Sequence, residues 1–138
     1  MYQQKTHFLN LTNYTPDVLH LKIDLFMYEI NMPPQLKGRK YLTRAIEKVY
    51  ADGNTIKDVM DGLYKDIADE NGTSVSRVER NMRTAISTVW REGNSEKLDE
   101  YLRCPFRECK PSPREFIAIV ADRLRRNLIH SEFIITRS

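Results

Sequence analysis

Three arginines in the middle of the chain are spaced so that one helix could present them together. Arg77, Arg80 and Arg83 follow each other at three-residue intervals within the segment SRVERNMR. At about 100° per helical residue, Arg77 and Arg80 lie opposite the apolar side chains, and Arg83 lies on one flank. A guanidinium donates two hydrogen bonds to O6 and N7 of guanine, so this face has the chemistry to read DNA bases. A solvated surface helix would show the same pattern.

The segment that contains these arginines has the layout of a helix-turn-helix. Residues 64–90 predict one helix, a short turn and a second helix. Ala68 is small where two helices must cross closely, Gly72 suits a left-handed turn, and Val78 points back to the core. The apolar arc of the second helix comprises Val75, Val78, Met82, Ala85, Ile86, Val89 and Trp90. We therefore predict that residues 75–90 form a recognition helix in the major groove.

Polar side chains surround the start of this second helix. Thr73 and Ser74 are turn residues that could contact a backbone phosphate, because a helix N-terminus favours anions. Ser76 could cap the helix or reach a phosphate, and Thr84 is a further backbone candidate on the outward side. Glu79 could accept a hydrogen bond from cytosine N4, or it could complete a Ser-x-x-Glu capping box with Ser76. Both interpretations of Glu79 stay open.

Two further basic groups lie outside the helix-turn-helix. The first comprises Lys37, Arg39, Lys40, Arg44 and Lys48. Lys37, together with the Gly38 amide, and Lys40 are candidates for phosphate contacts, which add affinity without sequence preference. A solvated helix face is the alternative for this group. The second comprises Arg123, Arg125 and Arg126, which could also neutralise phosphate.

Length and charge favour one domain with a local binding surface. The chain has 138 residues and a net charge of +3, so it is not a polycation that coats nucleic acid indiscriminately. No apolar run is long enough to cross a membrane, and the N-terminus lacks the pattern of a signal peptide. We expect a cytoplasmic protein without membrane contact.

The sequence carries no signature of catalysis or of a bound cofactor. It has no glycine-rich phosphate loop, serine elbow or His-Glu-x-x-His pattern, so we predict no enzyme activity and no catalytic residue. Cys104 and Cys109 are five positions apart without a nearby histidine, which does not fit a zinc site. A reducing compartment disfavours a disulfide, so two free thiols are the favoured interpretation. We expect no metal and no cofactor.

Helical signals run through nearly the whole chain, and no convincing strand occurs. The first helix is predicted over residues 17–30, with one apolar side formed by Val18, Leu21, Leu25 and Tyr28. Ser112, Pro113 and Glu115 form a strong start signal for the last helix. The other predicted helices lie at 39–50, from 55 into the helix-turn-helix, and at 95–102. We predict an all-α, compact bundle of six to seven helices over residues 17–130, between a loosely ordered segment 1–16 and a tail 131–138.

Four strings of the chain occur in the order found in a known family. They are EINMPPQLKGRKYLTRAIEKVY, LYKDIADENGTSVSRVERNMRTAI, VWREGN and EFIAIVADRLR, and the similarity spans roughly residues 21–126. The chain resembles the C-terminal DNA-binding effector domain of the stage 0 sporulation response regulator of endospore-forming bacteria. The resemblance implies a six-helix domain that binds duplex DNA at a short TGTCGAA-like box, often as head-to-tail pairs.

The resemblance also implies roles for particular residues. The implied groove-facing set is Arg77, Glu79, Arg80 and Arg83. The region after the recognition helix would touch the sigma subunit of RNA polymerase, through Arg91, Glu92, Lys97 and Glu100; the plainer interpretation is a solvated helix and loop. The last helix would contribute to a dimer on tandem sites.

Two features differ from the family pattern. Lys65 stands where the family commonly has proline, which favours a more continuous helix. About twenty residues precede the similarity, so no receiver domain with a phosphorylated aspartate fits there. A stand-alone effector domain, favoured by Met1, and a fragment both stay open.

A second function of another class competes with DNA reading. The chain could be a protein-interaction module that acts on RNA polymerase, or on a related full-length regulator, without specific DNA binding. The arginines of SRVER favour contact with DNA, whereas the modest net charge favours the alternative.

Overall fold

The computed structural model describes residues 14–52, 56–102, 110–126 and 129. Every regular element in these ranges is a helix, which confirms the all-α prediction. The helices are α1 (Pro16–Glu29), α2 (Lys37–Asp52), α3 (Ile56–Glu70), α4 (Val75–Glu92), α5 (Ser95–Leu102) and α6 (Pro113–Arg125). None of them is long and apolar enough to span a lipid bilayer. Residues 1–13, the loop with Cys104 and Cys109, and the predicted tail lie outside the described residues.

The first helix buries a different side from the one predicted. Val18, Leu21 and Tyr28 are 40%, 42% and 72% exposed, and Leu25 is only half-buried. The buried side chains are instead Leu19, Ile23, Phe26 and Met27. The sequence of α1 is apolar on almost every side, so its periodicity alone did not select the face that packs.

Aromatic contacts to later helices explain which face of α1 is buried. Phe26 packs against Tyr101 of α5 and Phe116 of α6, with ring centroids 5.7 and 6.3 Å apart. Aromatic pairs at such distances add to the burial of apolar area. These partners lie far along the chain, so tertiary packing set the orientation of α1.

The central helix of the bundle is α2, because α1, α3, α4 and α6 all pack against it. The predicted apolar positions Leu42, Ile46 and Val49 are buried. Near the C-terminus of α2, the carbonyl oxygens of Val49 and Tyr50 accept hydrogen bonds from the Arg125 side chain of α6, at 2.5 and 3.3 Å. A cation at the C-terminus of a helix offsets the partial negative charge there.

The other arginines at the end of α6 also differ from expectation. Arg123 donates to the carbonyl oxygen of Leu102, at the end of α5, at 3.1 Å. Arg123 and Arg125 thus each bind a helix end, and a phosphate contact by either residue stays a prediction. Arg126 is exposed and pairs with Asp122 at 3.2 Å.

The predicted helix, turn and helix are formed by α3, residues 71–74 and α4. As the absence of proline predicted, α3 continues unbroken through Lys65. It ends at Glu70, and the turn that follows contains Gly72, whose φ of +60° lies in the left-handed region. The Thr73 amide donates to the Ala68 carbonyl at 3.0 Å. Ala68 and Val78 are 2% and 0% exposed, as their proposed packing roles require.

The start of α6 confirms the capping signal read from the sequence. The Ser112 hydroxyl accepts from the Glu115 amide at 3.2 Å, and the Glu115 carboxylate accepts from the Ser112 amide at 2.9 Å. Pro113 occupies the first turn. The inward stripe of α6 is buried, and comprises Phe116, Ile117, Val120, Ala121 and Leu124.

Candidate nucleic-acid interface

The helix α4 separates a buried face from an exposed one. Its buried residues are Val78, Met82, Ala85, Ile86 and Val89. The predicted apolar arc is confirmed for these residues, whereas Val75 is 44% exposed and Trp90 is half-buried. Arg77, Arg80 and Arg83 are exposed. The side chains of Arg77 and Arg80 form no ion pair within the described ranges, so two guanidinium groups are available to an external acceptor.

The helix α4 begins at a different cap from the one considered. Ser74 is the N-cap, with extended backbone angles, and its Oγ accepts from the Arg77 amide at 3.2 Å. Ser76 is therefore the second residue of the helix, and the capping box between Ser76 and Glu79 is wrong. Ser76 is exposed and its Oγ lies 3.4 Å from that of Ser74, while Thr73 is half-buried in the turn.

The Glu79 side chain forms an ion pair with another residue of its own helix. Its carboxylate accepts a hydrogen bond from Arg83, one turn later, at 2.9 Å. The two side chains are 46% and 58% exposed, and exposed pairs of this kind contribute only about 0–1 kcal/mol, so the pair can open at small cost. Thr84 is exposed on the outward side of the next turn.

Tyr64 of α3 lies close to this pair. Its hydroxyl is buried and has no hydrogen-bond partner in the part of the chain that the structure describes. Burial raises the pKa of Tyr64, and the charge of Glu79 raises it further, while Arg114 and Arg83 oppose the shift. The charges of Glu79, Arg114 and Arg83 therefore all act on the Tyr64 hydroxyl.

The N-terminus of α2 lies along one flank of α4. Gly38 faces Asn81, where a β-carbon would lie 2.0 Å from the carbonyl oxygen of Asn81. This close approach places the exposed Lys37, the first residue of α2, beside α4. Lys40 is exposed one turn further along. These two predicted phosphate candidates therefore lie on accessible surface.

The other members of that basic group are engaged in ion pairs. Arg39 binds Asp24 at 2.7 Å, with its own side chain only 12% exposed. Arg44 and Lys48 both bind Glu70, at 3.1 and 2.9 Å. The hydrogen bond to Glu70 raises the pKa of Arg44, and the hydrogen bonds from Arg44 and then Lys48 lower the pKa of Glu70. Arg39, Arg44 and Lys48 thus connect α1, α2 and α3 to each other.

The segment before α6 lies along the opposite flank of α4. The Lys110 ammonium donates to the Ser87 hydroxyl at 2.9 Å. Pro111 lines a small apolar cavity together with Trp90 of α4. Arg114, in the first turn of α6, is exposed. Sequence reasoning missed Lys110 and Arg114, because the string KPSPR marks a helix start and does not reveal which helix lies beside it.

A model of one protein family matches most of this architecture. The model, described as sporulation initiation factor Spo0A C terminal, matches residues 23–124, from α1 to the end of α6. The chain belongs to this family. It is therefore a DNA-binding effector domain of the sporulation-regulator type, and the resemblance seen in the sequence is confirmed. The Spo0A C-terminal family is one of transcription factor domains rather than of enzymes.

In this Spo0A C-terminal domain, the residues expected to meet a protein partner lie at the end of α4 and on α5. Arg91 and Glu92 are exposed at its end, 3.6 Å apart. Lys97 and Glu100 lie on α5 and pair at 3.5 Å, and the Lys97 ammonium also lies over the Tyr101 ring at 5.5 Å. Within the described ranges no three His, Cys, Asp or Glu side chains come together as metal ligands.

Proposed function

We propose that the chain is a sequence-specific regulator of transcription whose helix α4 enters the major groove of a TGTCGAA-like box. The observation that carries this proposal is the exposure of Arg77 and Arg80, without ion pairs to described residues, on a helix whose other face is buried. Guanine O6 and N7 are acceptors that suit two parallel guanidinium donors. Membership of the family supports duplex DNA as the ligand.

Each of the groove-facing residues would contact a different base of the box. Arg80 points most directly away from the buried face, so it would meet a base edge, and Arg77 would meet a neighbouring one. When their exposed ion pair opens, Arg83 would reach a guanine and Glu79 would accept from cytosine N4. The central C and G of the box offer both partners.

The surrounding polar residues would fix the position of α4 on the duplex. Lys37 and Lys40 would contact phosphates on one flank. Thr73, Ser76 and Thr84 would donate hydroxyl hydrogens to phosphate oxygens. The Ser74 oxygen already accepts from the Arg77 amide, but its hydroxyl hydrogen can still be donated.

Two protein contacts belong to the same proposal. Two copies would bind tandem boxes head to tail. The sigma subunit of RNA polymerase would meet Arg91, Glu92, Lys97 and Glu100, of which all but Lys97 are exposed.

The test is fluorescence anisotropy with a labelled duplex that carries two tandem TGTCGAA-like boxes, and with a scrambled duplex of equal length. We expect a preference for the boxes that survives an increase in salt, because base contacts do not depend on counterion release. Arg80→Ala should lower the preference by about 1–3 kcal/mol, roughly 5- to 150-fold, with an unchanged circular dichroism spectrum. Equal, strongly salt-sensitive binding of both duplexes by the wild-type chain would contradict the proposal.

One observation favours the alternative of a protein-interaction module. Val18, Leu21 and Tyr28 form an exposed apolar stripe along α1, and such stripes occur at protein contacts. Titration of the chain with RNA polymerase sigma subunit, and with a related full-length regulator, tests this alternative. Binding that Leu21→Glu abolishes, in a chain without box preference, would establish the module in place of DNA reading.

A further inference from the structure

Two basic residues at the start of α6, one just before the helix and one in its first turn, have no part in the function proposed above. Lys110 is exposed, and its ammonium lies against the Ser87 hydroxyl of α4. Ser87 lies one turn after Arg83 and one turn before Arg91, on the outward side of the helix. Because a hydroxyl is neutral, the charge of Lys110 has no counter-ion among the described residues.

Arg114 lies on the same flank, nearer the start of α4. It is exposed and forms no ion pair with the described part of the chain. Its charge opposes the rise in the pKa of Tyr64, as does that of Arg83, so the two guanidinium groups lie near the same hydroxyl. The capping box of Ser112 already engages the backbone amides of Ser112 and Glu115 at the start of α6, so we assign the binding of an external anion to the side chains.

Both flanks of α4 therefore carry cations. Lys37 lies on the flank where Gly38 meets Asn81, and Lys110 and Arg114 lie on the other. The major groove is about 12 Å wide, close to the diameter of a helix with its side chains, so a helix in it has a phosphate strand on each side. Cations on opposite flanks would face opposite strands.

We propose that Lys110 and Arg114 form a second phosphate-binding surface, on the DNA strand across the groove from the one that Lys37 contacts. The inference rests on the proposed function, because it requires α4 in the groove. In the free protein, Ser87 holds the Lys110 ammonium on the outward face. On DNA, the ammonium exchanges this neutral partner for a phosphate, and the new hydrogen bond is charge-assisted.

The first experiment measures affinity for the boxed and scrambled duplexes at several salt concentrations, using Lys110→Ala and Arg114→Ala. Each variant should lose roughly five- to tenfold in affinity at 0.1 M salt for both duplexes alike, and the salt slope should flatten by about 0.9. Arg126→Ala is the matched control, since Arg126 is an exposed cation at the other end of α6, about 18 Å away along the helix. It should keep the wild-type slope.

A second experiment assigns the strand. Single phosphates of the boxed duplex are replaced by neutral methylphosphonates, and each duplex is titrated with the wild-type chain, Lys110→Ala and Lys37→Ala. The contacted phosphate is the one whose neutralisation lowers the affinity of the wild-type chain for the duplex but leaves the affinity of the variant unchanged. We expect the phosphates that the comparison with Lys110→Ala assigns to lie on one strand, and those that the comparison with Lys37→Ala assigns to lie on the other strand.

The outcomes separate this inference from the proposed function. If the wild-type chain prefers the boxes but Lys110→Ala and Arg114→Ala both keep its salt slope and affinity, only this inference is wrong. Phosphates mapped to the same strand for Lys110 and Lys37 would also overturn it. If the wild-type chain shows no box preference, the proposed function fails and the inference fails with it.

Discussion

Gly38 of α2 lies against the main-chain carbonyl group of Asn81 in α4, with room for a hydrogen atom but not for a methyl group. A β-carbon at position 38 would lie 2.0 Å from that oxygen and 2.8 Å from the β-carbon of Ala85. The contact sets the distance between the central helix and the helix that we propose reads DNA. Because both groups belong to helix backbones, neither can move aside alone.

Gly38→Ala should therefore lower the free energy of unfolding by about 1–3 kcal/mol, as overpacking does. Urea unfolding followed by circular dichroism measures the change. Gly62→Ala is the matched control, because Gly62 is an exposed helical glycine with nothing within 4 Å of an added β-carbon. That variant should gain up to about 1 kcal/mol from helix propensity. An equal gain in both variants would show that the space at Gly38 is larger than described.

Gly72→Ala should also destabilise the chain, for a different reason. Gly72 has open space around it, but its φ of +60° is unfavourable for a residue with a β-carbon. We expect a loss of about 1–2 kcal/mol in the same unfolding experiment. Gly72→Asn should lower the free energy of unfolding by less, because asparagine tolerates this conformation. If alanine and asparagine cost the same, the left-handed backbone is not the cause.

Lys40→Ala should weaken binding to boxed and scrambled DNA alike, and should flatten the salt slope by about 0.9. The reason is that Lys40 is exposed on α2, and as a phosphate-binding cation it would contact the DNA backbone rather than the bases. Anisotropy titrations over a range of salt concentrations measure both quantities. Lys48→Ala, on the same helix but paired with Glu70, should leave the slope unchanged. Equal slopes for all three proteins would exclude the phosphate role.

Glu70 should make stability depend on pH in the acid range. The hydrogen bonds from Arg44 and Lys48 hold the pKa of Glu70 below its usual 4.5 in the folded chain. A lowered pKa in the folded state means that the stabilisation is present above the unfolded value and is lost as the pH falls through the folded value. Urea unfolding of the wild-type chain and of Glu70→Gln should therefore differ at pH 7 and converge below pH about 4.5. A difference that stays constant down to pH 3 would contradict the lowered pKa.

Local signals in the sequence predicted the local structure well. Ser112 caps α6 and Gly72 forms the left-handed turn after α3, because capping and left-handed turns depend on residues within a few positions. The cap of α4 shows the limit of this reasoning. Ser74 and Ser76 are both plausible caps, and only the path of the turn, which leaves Ser74 extended, selects the first.

Features that depend on distant residues could not be predicted. The buried side of α1 follows from the contacts of Phe26 with two later helices. Arg44 appeared as part of a basic surface, but Glu70, which neutralises it, is 26 positions away in the sequence. Lys110 was missed because its neighbour Ser87 is 23 positions away. In each case the decisive partner comes from another element of the fold.

The separation of the two faces of α4 has a consequence for how this domain could diversify. Arg77, Arg80 and Thr84 take no part in core packing, while the position of their helix is fixed from behind by the backbone of Gly38. A new target site could therefore evolve, or be selected from a library randomised at these three positions, without compensating changes elsewhere. The buried half of α4 thus holds the helix in place whichever side chains its exposed half carries.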